Sequence, residues 1–330
     1  MEKFPDRAAT RYLTPFIIDF ARAGADFTGS YDLGLLFMLV ALSNVEGMSE
    51  ELAMERERAD EPLPDELRRP LSANAIALEL NWPRETARRQ VNQLIDKGLL
   101  VRVGWNGVIV PASTFRGAAA LGIQEAVMTQ FYRAMDRMIA AGFVWPPAGP
   151  ASPVASRFDS LPRFAILRQV MGLALRMTNL SMGAQGRLEA AILLHAITEY
   201  NLRALSANPT LSDRFATSHT QAPPDDLREP APARAIIERT GMSRATVLRL
   251  IRQHVESGEI KRVGRGLITS AHIFDAEPRL TAMRVGHGYL QATIGRLAAL
   301  GVTAEHVRRL AADPGSAVSP RPSGLAKERR

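Results

Sequence analysis

The stretch that decides the fold is SANAIALELNWPRETARRQVNQLIDKGLLVRVG, residues 72–104. A second stretch, PARAIIERTGMSRATVLRLIRQHVESGEIKRVG at residues 232–264, repeats it at an offset of 160 positions. The alignment begins at residues 64 and 224, runs for 41 positions without a gap and contains 16 identities. Because self-similarity of this kind sets the architecture, the chain is predicted to contain one structural unit twice.

Each stretch predicts two helices joined by a tight turn. In the first copy, Pro83 stands at the first position of the second helix, where proline is favoured. In the second copy, Ser243 is a preferred N-cap for the corresponding helix. Gly98 and Gly258 then mark the ends of these helices. Two short β segments with a glycine-containing tip follow, so each unit is predicted to close with a hairpin.

The duplication extends beyond these stretches. Apolar residues at helical spacing predict long helices over 117–141 and 276–300, which align at an offset of 159. The apolar runs 33–42 and 188–197 align at an offset of 155. The sequence therefore predicts four segments: a first repeat over 1–145 with its helix–turn–helix at 72–97 and hairpin at 99–111, a linker over 146–158, a second repeat over 159–311 with its helix–turn–helix at 232–257 and hairpin at 259–270, and a disordered basic tail over 312–330.

The two stretches resemble the helix–turn–helix and wing of bacterial regulators of the GntR and MarR families. In those families a pattern of a short helix, Gly-x-Ser-Arg-x-Thr, an arginine-rich helix, Gly-Leu and a wing recurs, and the flanking helices of this chain resemble the MarR arrangement. The resemblance implies a mainly α fold with short β-hairpin wings, in which two winged-helix domains in tandem pack through flanking long helices. It also implies binding to double-stranded DNA. The segments 47–70 and 203–230 depart from the compact family pattern.

Composition is compatible with this interpretation. The 330 residues suffice for two domains, and the formal charge of +7 favours a polyanionic partner. Only four of the 41 basic residues are lysines, so the abundance of arginine is general and its placement matters more than its number. The chain has no cysteine and no apolar run of the ~20 residues that span a bilayer. We therefore expect no membrane association and a cytoplasmic, nucleoid-associated protein.

The second helix of a helix–turn–helix lies in the major groove of DNA, where arginine can bind guanine with two hydrogen bonds. With Ala87, Val91 and Leu94 inward in one copy and Val247, Ile251 and Val255 inward in the other, the remaining side chains face outward. In the first copy, the predicted DNA-contacting residues of the second helix and the wing are Arg84, Glu85, Thr86, Arg88, Arg89, Asn92, Arg102, Trp105 and Asn106. Those of the second copy are Ser243, Arg244, Thr246, Arg249, Arg252, Lys261, Arg262 and Arg265.

Charge placement favours the second copy as the stronger DNA reader. Residues 71–107 carry five Lys/Arg and three Asp/Glu, a balance of +2, whereas residues 231–266 carry eight and three, a balance of +5. The acidic stretch 46–66 precedes the first motif and is expected to face away from phosphate or to restrain binding. A solvated cationic face is the alternative explanation for these arginines.

No feature of the sequence indicates an enzyme. The six histidines include no His-Glu-x-x-His run, and His195 lies in an apolar helix as a core residue would. No phosphate-binding glycine loop or Gly-x-Ser-x-Gly elbow is present. We therefore expect no catalytic residues, no metal and no cofactor.

The sequence hypothesis is a transcriptional regulator in which one chain supplies both recognition helices as an intramolecular pseudo-dimer, packed through helices 117–141 and 276–300. Such a protein would read an imperfect inverted repeat, with its two helices in successive major grooves about 34 Å apart. Two alternatives stay open: a replication initiator of the plasmid or phage type with tandem winged helices, and a winged-helix scaffold that binds protein. A homodimer and an unidentified small-molecule effector also stay open.

Overall fold

The computed structural model describes residues 4–46, 62–147, 161–217 and 222–313. The described chain is mainly α-helical with two small antiparallel sheets, as the sequence predicts. Most of the acidic stretch 46–66, most of the linker 146–158 and nearly all of the tail 312–330 lie outside the described residues.

The first half begins with two helices joined at Gly29, whose φ of 100° favours glycine. Its elements are α1 (Asp6–Thr28), α2 (Tyr31–Ser43), a 3-10 turn (Asp65–Leu67), β1 (Leu71–Ser72), α3 (Ala73–Glu79), α4 (Arg84–Asp96), β2 (Val101–Val103), β3 (Gly107–Ile109), a 3-10 helix (Ala112–Arg116) and α5 (Ala118–Ala140).

Most elements of the second half match those of the first in length and order. They are α6 (Arg163–Gln185), α7 (Leu188–Asn201), α8 (Arg203–Ala207), α9 (Pro209–Arg214), a 3-10 turn (Asp225–Leu227), α10 (Ala233–Thr240), α11 (Arg244–Glu256), β4 (Ile260–Val263), β5 (Gly266–Thr269), α12 (His272–Asp275), α13 (Glu277–Ala299) and α14 (Ala304–Ala312). The segment 203–230, which the sequence left without an account, thus holds two short helices and a 3-10 turn.

Both hairpins are joined by a third extended segment that precedes the helix–turn–helix. In the first half, β3 lies between β2 and β1, with Leu71 opposite Val108. In the second half, Ala231 forms an isolated antiparallel bridge with Leu267 of β5. Each hairpin is therefore anchored to the chain that enters the helix–turn–helix.

A buried asparagine makes the same hydrogen bonds in each half. Asn44 donates from Nδ2 to the carbonyl oxygens of Arg69 and Val108 and accepts at Oδ1 from the Val110 N–H. Asn201 donates to the carbonyls of Glu229 and Leu267 and accepts from the Thr269 N–H. These bonds fasten the second helix of each half to the strands of its hairpin.

The two asparagines are 157 positions apart, which corrects the predicted offset of 155 for the helices that carry them. The bounds of α1 and α6 also differ by 157, and those of α5 and α13 by 159. The apolar runs 33–42 and 188–197 could not fix the register because most of the α2 and α7 side chains in these runs are buried, so an apolar face does not distinguish one alignment from another.

A buried arginine beneath each hairpin also recurs. Arg68 donates to the Leu63 carbonyl and lies over the Phe115 ring, and Arg228 donates to the Pro223 carbonyl and lies over the Phe274 ring. Each guanidinium thereby holds the chain before the 3-10 turn against the chain after the hairpin.

One hydrophobic core joins the two halves. Helix α1 packs on α2 and α5 of its own half and on α7 and α13 of the other, and α6 packs on α7 and α13 and on α1, α2 and α5. The predicted packing of helix 117–141 against helix 276–300 is corrected: α5 packs mainly on α1 and α14, and α13 mainly on α6 and α1. The reason is that α1 and α6 supply fully buried residues such as Phe16, Ile18 and Val170, which occupy the centre.

Polar contacts also cross between the halves. Arg7 Nη2 donates to Asp275 Oδ1 at 2.6 Å, and Trp145 Nε1 donates to the Val302 carbonyl at 2.9 Å. Both donors are buried, so these bonds hold the ends of the first half against the second.

Candidate nucleic-acid interface

Local signals position α4. Ser72 caps α3 by accepting a hydrogen bond from the Ala75 N–H, and the chain turns at Asn81, which has a φ of 52°. Pro83 is the N-cap of α4, one position before the predicted place, because its ψ of 137° is extended and helical geometry begins at Arg84.

Matching signals position α11. Gly241 ends α10 with a φ of 69°, and Ser243 Oγ caps α11 by accepting from the Thr246 N–H at 3.1 Å, as predicted. Gly98 and Gly258 have φ values of 70° and 76°, which end α4 and α11 as the sequence predicts.

Both helices bury one face and expose the other. Ala87, Val91 and Leu94 of α4 are buried, as are Val247 and Ile251 of α11. Val255 is only half-buried, while Leu250 and His254, which the sequence analysis did not assign inward, are buried. His254 was missed because its burial depends on Glu259, whose carboxylate lies 2.7 Å from the ring Nδ1.

Most of the predicted DNA-contacting side chains are exposed. The exposed set comprises Arg84, Glu85, Arg88, Arg89, Arg102, Trp105, Asn106, Ser243, Arg244, Arg249, Arg252, Lys261, Arg262 and Arg265. Thr86, Asn92 and Thr246 are half-buried. The helix residues among them share the solvent face of α4 or α11, and the others lie in the hairpins, apart from Ser243 at the N-cap of α11.

One ion pair reduces the charge that α4 offers to a partner. Arg88 donates to both carboxylate oxygens of Glu85, at 2.9 and 2.6 Å. This hydrogen bonding lowers the pKa of Glu85, so the carboxylate is charged and neutralises its neighbour. In the described part of the chain, Arg84 and Arg89 make neither a hydrogen bond nor an ion pair and are the available guanidiniums of α4.

The first hairpin is coupled to α4 through Arg102, which donates to Asn92 Oδ1 at 2.7 Å. At the tip of this hairpin Trp105 is 94% exposed. This exposed indole therefore lies on a hairpin that is hydrogen-bonded to α4.

The second unit offers more available cations. Four arginines, Arg244, Arg252, Arg262 and Arg265, have no hydrogen-bonded or ionic partner among the described residues. Arg249 donates to Gln253 Oε1 at 3.2 Å, and Lys261 lies 3.1 Å from Asp225.

Arg239 was counted in the charge of the second motif but faces inward. It pairs with Asp19 and Glu199 and donates to the Pro15 carbonyl. Burial alone would lower its pKa, but the hydrogen bonds that it donates to both carboxylates, together with their charges, outweigh burial and raise it. No local signal indicates this role, because Asp19 lies 220 positions away.

Helices α1 and α2 also hold the carboxyl end of α10. Arg22 donates to the carbonyls of Glu238 and Arg239, and the Tyr31 hydroxyl donates to the Thr240 carbonyl at 2.5 Å. Cations and hydroxyls at a helix carboxyl end satisfy carbonyls that have no partner within the helix. The second helix–turn–helix is thus hydrogen-bonded to α1 and α2 of the first half.

Comparison of this chain with family models, with curated proteins and with solved structures finds no match. Within the described ranges, no group of three or more His, Asp or Glu side chains could hold a metal ion. Among the same residues no single helix is long and apolar enough to cross a membrane, although α1 and α2, bent by 97°, pass that test together on length and composition.

Proposed function

We propose that this chain is a sequence-specific double-stranded DNA-binding protein, a transcriptional regulator that reads DNA with α4 and α11. The observation that carries the proposal is the pair of solvent-facing arginine-bearing helices, each positioned by a capped turn and followed by a hairpin. Arg84 and Arg89 on one helix correspond to Arg244 and Arg249 on the other at an offset of 160. Arg84, Arg89 and Arg244 have no hydrogen-bonded or ionic partner among the described residues, so their guanidiniums are available for phosphate and guanine contacts. Arg249 is exposed but contacts Gln253 and, at 4.0 Å, Glu189.

We infer further that the chain is a tandem duplication of a winged-helix unit. Three recurrent features support this inference: the hydrogen bonds of Asn44 and Asn201, the Arg68 and Arg228 guanidiniums over phenylalanine rings, and the third extended segment beside each hairpin. If the two halves had arisen independently, all three features would have had to appear in both at nearly constant offsets, which a duplication explains directly.

One chain then acts as a pseudo-dimer. Because α4 and α11 differ at corresponding positions, Glu85 against Ala245 and Arg88 against Leu248, the preferred site is an imperfect inverted repeat. The internal Glu85–Arg88 pair and the four available arginines of the second unit make α11 and its hairpin the larger contributor to affinity.

The experiment selects binding sites from random duplexes with the full chain and then measures affinity for the selected site by fluorescence anisotropy across a salt series. Arg249→Ala is expected to weaken binding by about 5-fold to 150-fold, the 1–3 kcal/mol of a good base contact, and at least as much as Arg89→Ala. Arg308→Ala, at an exposed arginine on α14 outside both helix–turn–helix and hairpin segments, is the matched control and should leave affinity unchanged.

Distinct results would contradict distinct parts. A larger loss for Arg89→Ala reverses the predicted order of the two units. A strictly palindromic site protected by two chains excludes the pseudo-dimer. Weak binding without steep salt dependence indicates a protein-binding scaffold instead. Genome-wide mapping that finds repeated sites beside an origin, and not at promoters, indicates a replication initiator.

A further inference from the structure

Two cavities occupy equivalent places in the two halves. The first cavity, of about 80 Å³, lies between α2, α5 and the first part of α6, and the second, of about 130 Å³, lies between α7, α13 and the first part of α1. Their walls correspond residue by residue, at offsets of 157 or 159: Phe37 with Leu194, Phe115 with Phe274, Ile123 with Ala282, Leu167 with Thr10, and Met171 with Thr14.

The chemistry of the two cavities differs. Arg7, Arg279 and His195 line the second cavity where Phe164, Ala120 and Met38 line the first. Arg11 and Arg228 also line the second cavity, with Arg168 and Arg68 at the corresponding places. Among the described residues, no aspartate or glutamate contributes to the wall of the second cavity.

Two of the four arginines have structural partners that account for them. Arg7 pairs with Asp275, and Arg228 donates to the carbonyls of Pro223 and Thr269. His195 lies 2.7 Å from Ser181 Oγ, and burial, with a smaller contribution from Arg279, lowers its pKa to about 4. His195 is therefore neutral at pH 7 and needs no counter-charge.

The other two arginines have buried donors without hydrogen-bond acceptors. Arg11 donates from Nη2 to the Ser212 carbonyl at 2.8 Å, but its buried Nε has no acceptor in the described structure. Arg279 Nη2 is buried, makes no hydrogen bond there and lies 3.6 Å from Glu259 Oε1. Burial lowers the pKa of both guanidiniums, because a buried cation loses hydration that its partners do not fully replace.

Both guanidiniums also border the second cavity, so an anion there would offset a positive charge that their protein partners do not fully neutralise, and much of the remaining wall is apolar. Ile17, Leu194 and Phe274 belong to this apolar part of the wall. A water molecule needs about 10–15 Å³ of cavity volume, so a cavity of about 130 Å³ holds about ten non-hydrogen atoms. We propose that the second cavity binds a small organic carboxylate, with its charged end toward Arg11 and Arg279 and its apolar part against these three residues. The proposal goes beyond DNA binding and does not depend on it.

The experiment titrates the full chain by calorimetry with octanoate, which matches the cavity in size. Octanamide, the uncharged analogue of the same length, and inorganic phosphate are the comparison ligands. We expect one saturable octanoate site per chain, with octanamide and phosphate each weaker by at least about tenfold. Equal affinity for octanamide would overturn the role of the arginines, and equal affinity for phosphate would overturn the organic ligand. The absence of saturable octanoate binding below about 1 mM would overturn the site itself.

Two variants restore what the first cavity has at the same positions. Arg279→Ala, matching Ala120, is expected to weaken octanoate binding by at least about tenfold. Ala282→Ile, matching Ile123, narrows the cavity without touching a charge and should weaken binding similarly if Arg279→Ala does not fold. Arg284→Ala on the exposed face of α13 is the control and should bind octanoate normally. Unchanged affinity in a folded Arg279→Ala or in Ala282→Ile would overturn the proposal.

Discussion

Replacing Asn44 by alanine should destabilise the whole chain, and the loss can be worked out from three hydrogen bonds. The side chain is 1% exposed and bonds to two carbonyls at 2.8 and 3.3 Å and to one N–H at 2.9 Å. A net contribution of about 1 kcal/mol for each bond gives about 3 kcal/mol. This value is a lower bound, because the substitution also leaves buried backbone groups without hydrogen-bond partners. The expected loss is a large part of the 5–15 kcal/mol typical of folded domains.

The assay is urea unfolding followed by circular dichroism. Asn201→Ala should cost a similar amount, since its three bonds are 2.7, 2.9 and 2.9 Å long. Asn106→Ala, at an exposed hairpin tip, is the control and should change the free energy of unfolding by less than about 0.5 kcal/mol. A loss below about 1 kcal/mol at Asn44 would refute the hydrogen-bond reasoning. A large loss at one asparagine and none at the other would refute the equivalence of the halves.

Two further changes test packing and titration. Gly107→Ala should destabilise the chain by about 1–3 kcal/mol in urea unfolding, because the added Cβ would lie 2.4 Å from Pro70 Cβ. Gly122→Ala, in open space on α5, should instead stabilise the chain by about 0.5–1 kcal/mol. Equal effects of the two substitutions would contradict the close approach at Gly107. His195 has a folded-state pKa of about 4 against an ordinary value of 6.5, so the unfolded chain takes up a proton first and stability falls as pH drops from 6.5 to 4. His195→Met, which copies Met38, should remove about 3 kcal/mol of that fall in unfolding experiments at pH 7 and pH 4, and an unchanged pH dependence would show that burial of the ring is not its cause.

Local chemistry made the helix–turn–helix units predictable. Ser72 and Ser243 cap their helices and Gly98 and Gly258 end theirs, so the bounds of α4 and α11 differ from prediction by a single residue. Such signals act over a few positions and are visible in the sequence alone.

The register of α2 and α7 and the packing of the long helices were not predictable in this way. Side chains buried nearly all round carry no periodic polar face, and the residues that fix the register, Asn44 and Asn201, act through strands far along the chain. The inward role of Arg239 and the cavity lined by Arg11 and Arg279 escaped for the same reason. Their partners are set by tertiary packing across the two halves.

The bond between Arg7 and Asp275 has a consequence for how the protein is made. These residues are 268 positions apart, so α1 leaves the ribosome long before this partner is synthesised. At the usual 5–20 residues per second the delay is roughly 10–50 s. During that time, part of the apolar surface of α1 that packs on helices of the second half stays exposed to solvent. Nascent chains that stall before residue 275 should therefore be substrates for chaperones or targets for proteolysis.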